Sequence, residues 1–446
     1  MELPLCSLHV LCSNAQELFR SRFIDTPELL ADHRRKSVAI APQLKRRKQM
    51  NVQRPAWPTL FRASAFGIAL AALLPTSSFA ADPIRIGHVA ALSGASAQSG
   101  EAITRGMALA VDEINAKGGL LDGRKLELIQ RDDESSPPKG LTAARELIFQ
   151  EKVDAIFGGI DTPVSLAIVP LMNKEKKLFM GVWAAGTGIT RNGATPNYVF
   201  RVSAVDDDVD IKLLKYAKDK FKAKKAGLML INNPWGQSNE KGLVAAAKDD
   251  PAITIAGISK FENNDVDMVP HLTRLKDAGA DAIILVVNAP PGAQMMKSRE
   301  RMGWTAPVVS HWGISGGRFP ELAGATAGDA HFVQTFSFFG KLPPVGERVL
   351  ADLKKKYPQI KGPEDISSPV GTANAYDAMH LIALGIEQAG STDPDAVRAA
   401  LEDLKKPYAG LIKSYNRPFT SANHDALGPS DYIMVHYEGD KIVPVE

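Results

Sequence analysis

The sequence predicts an α/β protein of two doubly wound parallel-sheet lobes, on three observations. Short apolar runs alternate with helix-length amphipathic stretches along most of the chain, the pattern of successive βαβ units. The strand runs are apolar at nearly every position, as in strands covered on both faces. The series restarts after Arg201–Asp208, so a second sheet follows the first in a chain of 446 residues, which exceeds one ordinary core.

Element by element, Ile84–Ala91 reads as the first strand. Ala102–Ala116 carries Ile103, Met107, Ala110, Val111 and Ile114 along one helical stripe, and Gly118-Gly119 ends it. Strands follow at Lys125–Gln130, Ala155–Gly158 and Leu178–Trp183, with helices at Pro138–Glu151 and Pro163–Lys174 between them. The second series has helices at Ile211–Phe221, Asn239–Ala247, Val269–Ala278 and Gln294–Met302. Its strands are Ala226–Ile231, Ile253–Ser259, Ala282–Val287 and Pro307–Ser310. Further helices are predicted at Gly346–Lys356, Pro369–Ala389 and Pro394–Leu404, and short strands around Glu438-Gly439-Asp440. Passages between lobes are expected near Arg201–Asp208, Val333–Ser337 and Lys413–Arg417. The expected lobes are 83–205 with 336–412, and 206–335 with 413–446.

Ahead of these elements lies a leader. Arg54 and Arg62 precede an apolar run, Ala63–Leu74, and Ser78-Phe79-Ala80 closes it with a small-residue cleavage pattern. The run is shorter than the roughly 20 residues a membrane span needs. Residues 50–80 are therefore expected to be a Sec-type signal peptide, and 1–49 an upstream extension that is a misplaced gene start. The first 80 residues hold 11 of the 53 basic and 5 of the 50 acidic side chains, which leaves 42 against 45 after cleavage. A slightly acidic product argues against nucleic acid or an anionic membrane as partner. The 2 cysteines, Cys6 and Cys12, lie ahead of the cleavage site, so neither a disulfide nor a lipid anchor is expected in the exported chain, which points to a periplasmic protein.

In open parallel sheets ligands bind beyond the carboxyl ends of the strands. The loops there read Leu92–Gly100, Ile160-Asp161-Thr162 and Ala184–Thr187 in the first series. In the second they read Asn232–Trp235, Asn288–Pro290 and His311–Gly313. They are rich in Ser, Thr, Asn and Gly, and Trp235 and Trp312 offer flat walls to a small solute. The first loop has neither the phosphate-binding nor the dinucleotide glycine order. The histidines fall in no ligand spacing. Neither a catalytic residue, a metal nor a cofactor is expected. Asp206-Asp207-Asp208-Asp210 reads as a solvated helix start, where carboxylates are favoured.

The order Ile84–Gly94, then Gly106 to Gly119, resembles the start of type I periplasmic binding proteins. It is most similar to the branched-chain amino-acid (Leu/Ile/Val) binding group of ABC importers. Ile114–Ser135, Phe157–Gly159, Tyr198–Arg201 and Arg299–Gly303 carry the likeness on to about Val445. The resemblance implies two α/β lobes joined by a three-segment hinge and closing on a solute. It implies a monomer that hands its solute to the membrane subunits of an ABC permease, with a sensory ligand-binding component as the alternative. By position, Thr162 stands for the hydroxyl that holds a ligand carboxylate, and Ala184 and Ala185 for its backbone donors. Ser99 stands where some members have an aromatic, and Trp235 where the second lobe has a pocket tyrosine. Candidate ligand-binding residues are thus Ser93, Ser99, Asp161, Thr162, Ala184 and Ala185 on one lobe, with Trp235, Asn288 and Trp312 on the other.

Two departures bear on the solute. The loop Ser310–Gly313 lacks the acidic residue with which amino-acid binders meet an ammonium group, and a hydroxyl beside Ala184 is missing. An unpaired buried ammonium is costly, so the loop favours an aromatic or aliphatic carboxylate over an α-amino acid, and Trp312→Glu is expected to reverse that. Asp161 is the substitute carboxylate that keeps an amino acid in play.

Overall fold

The computed structural model describes residues 82–445. The leader at 50–80 and the extension at 1–49 lie outside the described residues.

The first sheet is five-stranded and parallel, in the order β2-β1-β3-β4-β5. Its strands are β1 (Ile84–Ala90), β2 (Leu126–Asp132), β3 (Ala155–Gly158), β4 (Leu178–Gly181) and β5 (Val199–Arg201). Helices α1 (Ala97–Ala116), α2 (Pro137–Phe149) and α3 (Thr162–Lys174) connect them. Side chains alternate across the strands, as the pleat requires. Phe157 and Met180 join the core under α1, while Ile156 and Phe179 join the one under α2 and α3.

The second sheet has seven strands, in the order β14-β13-β10-β9-β8-β6-β7. Its helices α4 (Asp206–Phe221), α5 (Pro234–Asp249), α6 (Val269–Asp277) and α7 (Ala289–Arg301) alternate with β6 (Lys225–Ile231), β7 (Thr254–Phe261), β8 (Ala282–Val286) and β9 (Val308–Ser310). A short helix, α8 (Phe319–Ala323), precedes β10 (Ala330–Gln334). The chain then returns to the first lobe with α9 (Pro344–Lys356), α10 (Pro369–Ala389), α11 (Pro394–Glu402) and a small hairpin, β11 (Tyr408–Ala409) with β12 (Ser414–Tyr415). It ends in the hairpin of β13 (Ile433–Glu438) and β14 (Lys441–Pro444), antiparallel to each other and, through β13, to β10. The second sheet is thus parallel with an antiparallel edge rather than parallel throughout.

Helix α10 is the spine of the first lobe. It packs on α1 so closely that a Cβ at Gly106 would meet the Thr372 carbonyl at 2.2 Å, and only glycine admits that approach. Thr372 Oγ1 donates to the Ala102 carbonyl (3.1 Å), and Asn374 Nδ2 to the Val182 carbonyl just past β4 (3.0 Å).

Four local expectations are corrected. Helix α1 begins at Ala97, so Ser99 and Gly100 belong to a helix rather than a loop. Strand β5 was hidden in the unassigned stretch before Arg201, because three residues give no readable period. Val333 and Gln334 close β10, so the second passage starts later than Val333. The third passage is later than Lys413–Arg417. The Arg201 N–H still donates to the His424 carbonyl, and the Ala426 N–H to the Arg201 carbonyl, both at 2.9 Å along the edge of the first sheet. Among the described residues no helix is long and apolar enough to cross a membrane.

Candidate ligand-binding cleft

Strand order decides where a cleft opens. In the first sheet the chain runs from β1 to its neighbour β2 on one side, then returns past β1 to β3 on the other. In the second it does the same from β6 to β7 and back to β8. Loops leave each sheet in opposite directions at these two points, and a crevice is left between them. A cleft of about 390 Å³ lies where the two crevices meet. Its walls come from the loops after β1 (Ser93), β3 (Asp161), β6 (Asn233, Trp235) and β8 (Asn288). Ser135, after β2, and Asn263, after β7, complete the rim.

Asp161 is the N-cap residue of α3. Its Oδ1 accepts from Asn288 Nδ2 across the cleft at 3.2 Å, while its Oδ2 is buried without a partner. Burial pushes this carboxyl above the usual range, and the Ser135 and Asn288 side chains pull it back. Bonds from the Thr187 N–H to Ser238 Oγ (3.3 Å) and from Ser368 Oγ to the Ser315 carbonyl (3.1 Å) also join the lobes. The indoles of Trp183 and Trp312, one from each lobe, stand 5.9 Å apart.

Of the nine expected residues, Ser93, Asp161, Trp235 and Asn288 line the cleft together. The others lie deeper. Ser99 is 3% exposed, and a Cβ at the facing Gly316 would come within 2.1 Å of its Oγ, so the two lobes meet there. Thr162 Oγ1 accepts from the Gly186 N–H at 3.1 Å. The Ala184 N–H is spent on the Gly159 carbonyl at 3.0 Å, which corrects its expected role as a ligand donor. With Gly186 engaged by Thr162, the N–H of Ala185 is the one this turn leaves open.

Trp312 is 1% exposed and packs against Trp183 and His311 rather than lining the cleft. A carboxylate placed there would be buried, so Trp312→Glu removes a core indole instead of adding an ammonium partner. The loop itself holds no carboxylate, but one from α4 lies against it. Asp206 Oδ1 accepts from Trp235 Nε1 (3.2 Å) and from His311 Nε2 (3.1 Å). Asp206 and Asp210 are both fully buried, which overturns the reading of this acidic run as a solvated helix start. The make-up of Ser310–Gly313 therefore does not disfavour an α-amino acid.

Sequence reasoning missed Ser135, Asn263 and Asp206, and it named the loops of Asn233 and His311 without singling out those two residues. The strand-end rule, extended to the loops after β2 and β7, finds Ser135 and Asn263. Nothing in the sequence signals that Asp206 folds under Trp235. Among the described residues no group of three or more His, Cys, Asp or Glu side chains is placed to hold a metal ion.

Thr162→Ala tests the turn that carries Gly186. It leaves a buried N–H without its acceptor, at about 1–3 kcal/mol. Solute affinity should fall roughly ten- to a hundredfold, measured by calorimetry, and Thr162→Ser should restore it.

The family model described as periplasmic binding protein matches residues 83–439. A Leu/Ile/Val-binding protein of Rhizobium johnstonii is 27% identical over 383 residues, covering 84% of this chain and 98% of its own. The crystal structure of a type 1 periplasmic binding protein from Bordetella pertussis superposes with a TM-score of 0.74 at 25% identity, over 82% of this chain and all of the other. A solute-binding protein of an ABC transporter from Rhodopseudomonas palustris, solved with 4-hydroxybenzoate, shares the fold at a TM-score of 0.69 and 22% identity, over 82% and 96% of the two chains.

Proposed function

The chain belongs to the periplasmic binding protein family, and on that premise we propose that it captures a small organic solute between its lobes for an ABC importer. The observation that carries this is the meeting of the two strand-order reversals at one cleft, already bridged by Asp161 and Asn288. Such a cleft can wrap a solute, exclude water and strengthen every polar contact inside it. The walls suit either an amino acid or an aromatic or aliphatic carboxylate. Trp235 supplies a flat face and Asp161 an acceptor for an ammonium group, with the Thr162 hydroxyl and the Ala185 N–H just beneath them. Relatives named for leucine, isoleucine and valine favour the first class. The role is binding rather than turnover, by one monomer for one solute.

The test is a thermal-shift screen of amino acids and benzoates on the exported protein, followed by small-angle scattering with and without the best binder. One solute per chain and a smaller radius in its presence are expected. Conversion of the bound solute, or binding outside the cleft, would defeat the proposal. N-terminal sequencing of the exported protein should read Ala81-Asp82-Pro83-Ile84, and any residue from 1–49 in that product would refute the assigned leader.

A further inference from the structure

We propose that Asp206 is the positioning residue of the solute chamber, holding the Trp235 indole and the His311 imidazole in place before any solute arrives. This rests on the reading of the cleft as a solute site. Asp206 is the first residue of α4, at the first passage between the lobes. Its backbone N–H donates to the Ala185 carbonyl at 2.8 Å, in the first-lobe turn beneath the cleft. Its side chain turns into the second lobe. One oxygen, Oδ1, accepts from Trp235 Nε1 at 3.2 Å and from His311 Nε2 at 3.1 Å. Asp206, His311 and Trp235 are 0%, 0% and 7% exposed.

In that setting the three groups fix one another. A buried indole N–H needs an acceptor, and Asp206 is the one Trp235 has. The Trp312 N–H donates to His311 Nδ1 at 2.8 Å, so that nitrogen carries no proton and Nε2 is the donor to Asp206. The carboxylate thereby sets the tautomer of His311. The imidazole then orients the backbone of Trp312, whose indole packs against Trp183 of the first lobe. The Trp235 wall of the chamber and the Trp312 indole buried beneath the walls both hang on one side chain. Both are second-lobe residues, as are His311 and the Asp206 side chain. The arrangement therefore needs no lobe closure and no solute, and it selects solutes by the shape of a wall already in place.

The test uses ¹⁵N-labelled protein without solute, and calorimetry with L-leucine, L-phenylalanine, benzoate and 4-hydroxybenzoate. The Trp235 indole signal is assigned by its loss in Trp235→Phe. In the wild type, His311 should show one protonated and one bare ring nitrogen. Asp206→Ala should shift the indole signal and average the two imidazole nitrogens. It should weaken the best binder roughly ten- to a hundredfold and alter the order of preference among the four. Asp206→Asn keeps an acceptor oxygen and should restore the indole signal and most of the affinity, a rescue that a charge-only role would not give. Unmoved indole and imidazole signals in Asp206→Ala would overturn the proposal, as would moved signals with affinity and order unchanged. Should the alanine variant not fold, Asp206→Asn decides, and loss of affinity with both signals in place would refute positioning. Failure of the wild type to bind any of the four solutes would weigh against the solute reading instead, since the resonance measurements stand without a solute.

Discussion

Replacing Arg201 by methionine should lower the unfolding free energy by about 3–5 kcal/mol, the cost of stranding a buried charge. Arg201 is fully buried at the end of β5. Its Nε donates to Asp425 Oδ1 (2.8 Å), Nη2 to Thr190 Oγ1 (2.8 Å) and Nη1 to the Gly186 carbonyl (3.0 Å). Burial by itself would raise the Asp425 carboxyl, but Arg201, joined by Thr190 and Arg191, holds it below the usual range. Methionine fills much of the volume and leaves Asp425 charged, 5% exposed, and facing the half-exposed Arg191 at 3.5 Å. The same loss frees the Gly186 carbonyl, so the turn that carries Ala185 loosens and solute affinity should fall with stability. Chemical denaturation read by fluorescence measures the first effect and calorimetry the second. The double variant Arg201→Met with Asp425→Asn should recover most of the stability, because no orphan charge remains. A single variant within about 1 kcal/mol of the wild type would show that the pair is not what ties the turn to the sheet.

Much of this architecture was legible because hydrophobic period and strand-end chemistry are local properties. Ala155–Gly158 and Pro369–Ala389 have the bounds read from the sequence. Asp161, Trp235 and Asn288 were found simply as residues just past apolar runs. What stayed hidden depends on strand order and on depth, which no local window contains. The cleft sits at β1/β3 and β6/β8, so residues one strand further out, Ala185 after β4 and Trp312 after β9, end up beneath the walls rather than on them. The acidic run at Asp206–Asp210 shows the same limit. At a helix start such a run is ordinarily solvated, yet α5 packs on α4 until a Cβ at Gly242 would lie 2.1 Å from Asp210 Oδ2. Only that packing, and the indole of Trp235, put the first carboxylate inside.

Asp133→Asn should stabilise the protein by an amount that grows with pH. Asp133 is 1% exposed; its Oδ1 accepts from the Ser135 N–H at 2.8 Å and its Oδ2 has no partner. Burial pushes the carboxyl up to about 7 from 3.8, with Asp161 and Asp132 adding to the rise and the Ser135 N–H opposing it. Between those two values the folded chain binds a proton that the unfolded chain does not, so stability falls as pH rises from about 4 to about 7. Some three pH units at 1.36 kcal/mol each make this about 4 kcal/mol. Asp377, raised to about 6, acts in the same direction over a lower window, and the raised Asp161 and Asp210 add to that direction. His88 and His331 act against them. Burial lowers both to about 4, so the unfolded chain gains the proton first and stability is lost as pH falls below about 6.5. The wild-type profile therefore mixes opposing slopes, and the difference between variant and wild type isolates Asp133. Asparagine keeps an oxygen for the Ser135 N–H and cannot ionise. The gain in melting temperature of Asp133→Asn should be near zero at pH 4, climb through pH 5 to 7, and level off by pH 8, in calorimetric scans at each pH. A gain that is the same at every pH would mean that Asp133 ionises as an ordinary carboxylate, with water or a cation reaching it beneath the cleft.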